Sequence, residues 1–486
     1  MRSRNAIHTK LTVGCLSGLA LLHAAGSACA QQPDPLALES VGANDDLSFP
    51  SDGGSIATVE TEMNNELGPQ DLPGHPIGPQ PRPPDGPQAA PKPSPTLAER
   101  EWFGGKSFWQ WEHFTGDWGG LRSTLNDGGL TFNGSLTYDW SSVWSGGLSN
   151  RASTRSLLDI NASLDTARLW SLSGGTLFFD FQSTDVRGGS RDAGDIQGFS
   201  NIDSGTNVHQ LSEVWYEQRL FDNNLRIKIG KIDANKEFDV VSCGGSFLNS
   251  SVGFSPTVLT LPTYPEPAFG AVVFVYPTED LYLGAGFFDG SLAVGVRTGG
   301  LGPASLFEGN EYFMVGEAGM TWKQLGRMGP GRLGVGGWVN TASFSQFDGN
   351  QQRETAGQFI VIEEQLIARA SESDNASKGL FVFGRYGHAD EDIASVTNHI
   401  AVGISAAGTF EGRDDDEAGF LVTFADLSDA TGADFPHNET AFEVFYKYSI
   451  TPAISITADL QTIVHPSGDD GVDPAVVGSL RIQLVF

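Results

Sequence analysis

The sequence predicts an all-β chain, a transmembrane antiparallel β-barrel of about sixteen strands preceded by a short helical segment and a disordered, proline-rich arm. Three observations carry that prediction. Apolar and polar residues alternate with a period of two in segment after segment. Connections on one side are turns while most on the other are long, and the chain ends on a strand that closes with Phe486.

Taken in order, residues 1–30 read as a secretory signal peptide: Arg2, Arg4 and Lys10 precede an apolar run from Leu11 to Ala25, which closes on the small residues Ala28, Cys29 and Ala30. Gly26 stands where a lipoprotein signal wants a bulky aliphatic residue, which disfavours Cys29 as an acylated cysteine. No later stretch is apolar for long enough to span a membrane as a helix, so a mature chain that spans one does so as a closed barrel. With Cys15 and Cys29 in the signal, Cys243 stands alone and the mature fold has no disulfide of its own. The 61 glycines, 10% aromatic and 18% charged residues suit many short strands with tight turns. A net charge of -30 argues against a nucleic-acid surface.

Residues 31–100 lack apolar periodicity and hold eleven prolines between Pro69 and Pro95, the composition of an extended periplasmic linker. Residues 101–128 are rich in aromatics and glycine, with a short helix expected over Leu121 to Leu125. The barrel domain occupies 129–486, its strands starting near residues 130, 155, 175, 207, 224, 267, 280, 311, 331, 357, 378, 396, 418, 439, 453 and 475. The first strand sets Phe132, Leu136, Tyr138 and Trp140 against Asn133, Ser135, Thr137 and Asp139, one greasy face and one wet. The same pattern sets Ile227 and Ile229 against Arg226 and Lys228, and Ile456 and Leu460 against Thr457, Asp459 and Gln461. Asp222-Asn223, Pro277-Asp280 and Tyr448-Thr451 read as turns, whereas 186–206, 234–266 and 289–310 are long loops. Tyr138, Trp140, Trp144, Tyr276, Tyr282, Trp322, Tyr446 and Tyr448 lie near strand ends, where rings anchor at a membrane interface. A last strand ending in Phe486 is similar to the signal read by the barrel-assembly machinery of Gram-negative-type outer membranes, so outer-membrane lipid and that machinery are the expected partners.

With these elements placed, residues 112–486 resemble the OprB-type carbohydrate-selective porins. The resemblance is carried by Thr115-Gly116-Asp117-Trp118-Gly119-Gly120-Leu121-Arg122, by Gly230-Lys231-Ile232-Asp233-Ala234-Asn235, and by Phe247-Leu248-Asn249-Ser250-Ser251. Tyr264-Pro265, Phe288-Asp289-Gly290 and the last two strands follow in the same order. It implies a sixteen-stranded barrel in the cell outer membrane and passive diffusion of monosaccharides such as glucose into the periplasm. The alternatives are a general or ion-selective porin, and a structural tether joining the outer membrane to the cell wall through the proline-rich arm.

If both termini are periplasmic, residues 234–266 form the third external loop. Phe238, Phe247, Leu248, Phe254, Val258 and Leu261 fit an inward, packed loop better than a solvated flap. A neutral sugar offers hydroxyls and apolar ring faces, so the lining calls for charged or amide groups and an aromatic ring. The wet-face candidates are Asp180, Glu213, Glu217, Arg219, Arg226, Lys228, Lys231, Asp233, Asn235 and Glu237, with Trp215 as a stacking platform. Each fits either a sugar contact or a rung of an ion-pair ladder that holds the wall together.

Nothing in the pattern calls for catalysis, a cofactor or a metal. No Gly-x-Ser-x-Gly context, paired-cysteine site or His-Glu-x-x-His helix is present. His388-Ala389-Asp390 is an isolated pair on an expected external loop, and Asp414-Asp415-Asp416-Glu417 reads as a solvated turn. Lipid-facing and partner-facing apolar strands look alike, so both a monomer and a homo-oligomer fit.

Overall fold

Period-two alternation gives a strand two faces, and sixteen such strands bury one face inside only by closing on themselves. The computed structural model describes residues 102–187, 190–368 and 378–486. In it the strands are β1 (Leu130–Ser145), β2 (Ala152–Asp165), β3 (Gly175–Arg187), β4 (His209–Leu220), β5 (Leu225–Ile232), β6 (Ala268–Thr278), β7 (Leu281–Asp289) and β8 (Tyr312–Trp322). They continue as β9 (Gly331–Ser345), β10 (Gln351–Ala368), β11 (Gly379–Ala389), β12 (Val396–Ala407), β13 (Glu417–Leu427), β14 (Glu439–Thr451), β15 (Ile454–Val464) and β16 (Ala475–Val485). Each strand pairs antiparallel with its sequence neighbours, and β1 closes the barrel against β16 with Leu136 opposite Leu484 and Asp139 opposite Arg481. The Phe486 N–H then donates to the Gly134 carbonyl at 2.8 Å, so the terminal residue is part of the seam.

The signal peptide and the proline-rich arm lie outside the described residues. The expected helix is present as α1 (Leu121–Asp127). Three sequence expectations are corrected at strand ends. β10 starts at Gln351 rather than near 357, β6 runs through Pro277 and Thr278 so that only 279 and 280 form the turn, and β14 continues through Tyr448 to Thr451, leaving only 452 and 453. The Phe221–Asn224 turn is tight because Phe221, Asp222 and Asn223 all take positive φ, a region that Asp and Asn enter more readily than most residues.

The face assignment follows the alternation. Tyr138, Trp140, Ile229, Phe420, Val444 and Leu480 are exposed on the outer surface, while Ser135, Thr137, Asp139, Thr457, Asp459 and Gln461 are buried on the inner one. Of the expected interface aromatics, Tyr276 and Tyr282 depart from the expectation. Both share the parity of Phe274 and Phe288, point inward and are buried.

An even strand count puts both ends of the barrel at one rim, periplasmic in the expected orientation. Two long loops from the opposite rim turn into the lumen: L2 (residues 190–208) and L3 (residues 233–267). The apolar side of L3 packs on the inner wall, Phe238 stacked on Phe274 at 5.3 Å and Phe247 edge-on to Phe383 and Phe445 at 5.7 and 4.8 Å. Val252, Phe254, Val258 and Leu261 join one buried cluster with Phe288, Phe313, Trp338 and Phe359. The hydrophobic core of this protein therefore lies inside the barrel. Burying each such side chain stabilises the inward loop by about 1.5–3 kcal/mol.

The other polar motifs resolve locally. Asp416 is not a solvated turn residue: Arg413 Nε, the Tyr446 hydroxyl and the Ser449 N–H donate to its carboxylate at 2.8, 2.5 and 2.9 Å, tying the β12–β13 turn to β14. His388 lies on the outer face of β11, its Nδ1 3.0 Å from Asn398 Oδ1, and Asp390 accepts from Gln352 Nε2 at 2.7 Å.

Candidate functional site

The constriction begins on β3–β5, where inward parity and cross-strand pairing set Asp180 opposite Glu213, Glu217 opposite Lys228 and Arg219 opposite Arg226. L3 leaves β5 at Ile232 and doubles back over these rungs, a path set by Asp233. Its carboxylate accepts from the Asn235 N–H at 3.0 Å and caps the short helical turn Ala234–Lys236. The Asp233 N–H in turn donates to Glu213 Oε2 at 3.1 Å. Asn235 Nδ2 donates to the Phe238 and Asp239 carbonyls at 3.2 and 3.4 Å and closes the next bend.

This path presses Glu237 onto the two β5 cations. Arg226 Nη2 and Lys228 Nζ each donate to it at 2.5 Å, while Arg226 Nη1 and Arg219 Nε donate to Glu217 at 3.0 and 2.9 Å. The result is a buried chain of alternating charge, Arg219, Glu217, Arg226, Glu237, Lys228. Burial alone pushes the Glu237 carboxyl up, but Arg226 and Lys228 outweigh it and hold Glu237 below its ordinary range. Asp233 goes the other way: burial pushes it up to about 6, opposed by Lys236 and reinforced by Glu213.

Trp215 occupies the inner-face position between Glu213 and Glu217, opposite Gly230. Gly230 has φ 146°, and a Cβ there would stand 2.6 Å from the Trp215 Cα and 2.2 Å from the Val214 carbonyl oxygen. The glycine that opens the GKIDAN motif is what lets this rung pack. The indole is held by Phe178, stacked at 4.7 Å, and by the Lys228 ammonium, 3.8 Å from the ring centre. Phe178 and Lys228 come from the strands on either side, so the faces of Trp215 are occupied by protein and the expected free stacking platform is modified. Phe178, Trp215 and Arg219 keep partial exposure on this wall.

Nine of the eleven expected residues thus belong to one connected network, while Asp180 faces Glu213 across the strands with both carboxylate oxygens buried and without a hydrogen-bond partner. Lys231 stands apart: it has the parity of Ile229, and its ammonium donates to the Leu211 carbonyl at 2.8 Å and to the Gly299 carbonyl at the far rim. Sequence reasoning missed Phe178 and Lys236, whose Nζ pairs with Glu213 at 2.7 Å. It also missed the residues that hold the loops inward. Arg385 donates to the Ser251, Val252 and Gly253 carbonyls at 3.1, 2.6 and 3.2 Å, as well as to the Asp239 carbonyl. Arg332 donates to the Val240 carbonyl at 2.5 Å. Glu443 accepts from the Leu248 and Asn249 N–H groups at 2.5 and 3.1 Å. Two periods of the alternation away on the same strand, Glu439 accepts from the Ile196 and Gln197 N–H groups of L2 at 2.9 and 3.0 Å. Period-two parity marks all four as inner-face residues, but only the loop path shows what they grip.

A closed sixteen-stranded barrel, apolar outside and narrowed by loops hooked to a charged inner wall, defines an outer-membrane porin. The model of the "Carbohydrate-selective porin, OprB family" matches residues 149–486, and the chain belongs to that family. Porin B of Pseudomonas aeruginosa is 23% identical over 430 residues, covering 76% of this chain and 90% of the relative. The structure titled "High pH structure of Pseudomonas putida OprB" matches with a TM-score of 0.68 at 21% identity, covering 78% of this chain and all of that one. The corresponding low pH structure matches with a TM-score of 0.53 at 18% identity. This protein is accordingly a porin of the outer membrane whose family is selective for carbohydrates.

Proposed function

We propose that this porin passes monosaccharides such as glucose, and that they cross along the partly exposed Phe178, Trp215 and Arg219 of the β3–β5 wall, which the Arg219–Glu217–Arg226–Glu237–Lys228 chain holds in place. The observation that carries the reading is the pairing of that chain with the Phe178–Trp215 stack. Fixed donors and acceptors suit hydroxyls in adjacent pairs, and a partly exposed ring suits the apolar face of a pyranose. Because every charge of that chain already has a protein partner, a sugar exchanges bonds rather than satisfying an orphan, and binding stays weak enough to release. Residues 1–30 serve export and 31–100 form a periplasmic arm. The test is planar-bilayer conductance of the purified protein with and without glucose, beside liposome swelling in sugars of increasing size. Glucose-dependent current block with exclusion of larger oligosaccharides is expected, and conductance indifferent to every sugar refutes the assignment.

A further inference from the structure

We propose that residues 102–121, together with the β2–β3 turn, form an aromatic collar that seats in the headgroup layer of the periplasmic leaflet, a membrane-binding surface outside the barrel wall. Trp102 and Trp109 are 59% and 69% exposed, and Phe108 and Phe114 lie about as open as the lipid-facing strand residues. Their backbone is nonetheless pinned to the barrel. Phe114 N–H donates to the Val485 carbonyl at 2.6 Å and Ala453 N–H to the Trp111 carbonyl at 3.1 Å, while within the segment Asp117 N–H donates to the Trp102 carbonyl at 2.6 Å. Phe103 stacks on Trp111 at 3.8 Å, which leaves the neighbouring rings outward.

The occupant is identified by continuity with the lipid-facing surface. Trp118 packs at 6.3 Å against Phe132, which shares the outward parity of Tyr138 and Trp140 on β1. The turn Phe108–Gln110 lies against β14, whose outward Tyr446 and Tyr448 form the ring girdle at this same rim. Trp170, on the β2–β3 turn, extends the same edge and is 59% exposed. Its neighbour Arg168 donates to the Asn126 and Asp127 carbonyls at the end of α1 at 3.1 and 3.2 Å, so the two pieces move as one. Exposed tryptophan and phenylalanine at the level of an aromatic girdle partition into the interface, where the ring is shielded and the indole N–H stays wet. A glycan strand is the other chemistry that stacks on such rings, but it gives no reason for the rings to continue the outward face of β1 and β14.

The test is nitroxide depth measurement on the exported chain in phospholipid vesicles, with Cys243 replaced by serine and a single label at Trp102→Cys or Trp109→Cys. Glu279→Cys, in the β6–β7 turn at the same rim, is the control. The collar labels are expected to show a several-fold higher ratio of oxygen to nickel-chelate collisions than the control, placing them about 5–10 Å into the headgroup boundary. Independently, brominated lipids are expected to quench the wild-type chain more than Trp102→Phe/Trp109→Phe. Collision ratios equal to the control, or equal quenching of the two chains, overturn the proposal, as does label immobilisation by soluble glycan strands without any lipid exposure. Sugar conductance plays no part in these readouts, so the collar stands or falls apart from the transport reading.

Discussion

Replacing Arg385 by methionine tests whether L3 is held inward by the barrel wall. The guanidinium sits inside β11, 3% exposed, at the end of the short helical turn Ser250–Gly253. Three of its acceptors, the Ser251, Val252 and Gly253 carbonyls, belong to that turn, and its charge faces Asp239 Oδ1 at 3.2 Å. Methionine keeps most of the volume and removes the cation, leaving Asp239 and the carbonyls without it. Breaking one side of a buried pair costs about 3–5 kcal/mol. At 1.4 kcal/mol per tenfold, that is a rise of about two to three and a half powers of ten in the ratio of detached to seated loop. Detachment is local, because Arg332 still grips Val240 and Glu443 still grips Leu248 and Asn249. The variant is expected to form the barrel, to show noisier and higher single-channel conductance, and to become cleavable by protease near residues 250–254. Conductance noise and protease resistance indistinguishable from wild type would show that the wall does not hold the loop.

Three further outcomes are expected. Burial favours the neutral form of Asp233, so its contribution to seating L3 is complete below about pH 4 and is lost as the pH rises through about 6. Open-channel noise should therefore increase between about pH 4 and about 6.5 in the wild type and stay flat across that window in Asp233→Asn. Lys228→Met removes a cation from the constriction and uncovers one face of Trp215, so the reversal potential in a salt gradient should move toward cation preference; an unchanged potential would place Lys228 off the solute path. Glu439→Gln weakens three charge-assisted bonds to L2, each worth about 1.5–3 kcal/mol, and should expose 190–206 to protease while leaving 247–254 protected. Simultaneous cleavage of both loops would show that L2 and L3 are not held separately.

By itself the sequence determined the architecture, because strand alternation is a local property: a residue's face follows from its neighbour two positions away. That suffices to start β1, β3, β9, β12, β14 and β16 at residues 130, 175, 331, 396, 439 and 475, and to put Arg226 and Lys228 on the wet face of β5. It also suffices to recognise the apolar side of L3 as needing a wall. Parity failed only where its own rule was not followed through, at Lys231, Tyr276 and Tyr282. What the tertiary structure alone decided is what those inward residues touch. Leu248 meets Glu443 across 195 residues and Gln197 meets Glu439 across 242, separations at which no local pattern constrains a partner. The occupied faces of Trp215 belong to the same class, since Phe178 and Lys228 reach the indole only after three strands have taken register. A period of two says which way a side chain points, and only closure of the barrel brings the opposite wall to meet it.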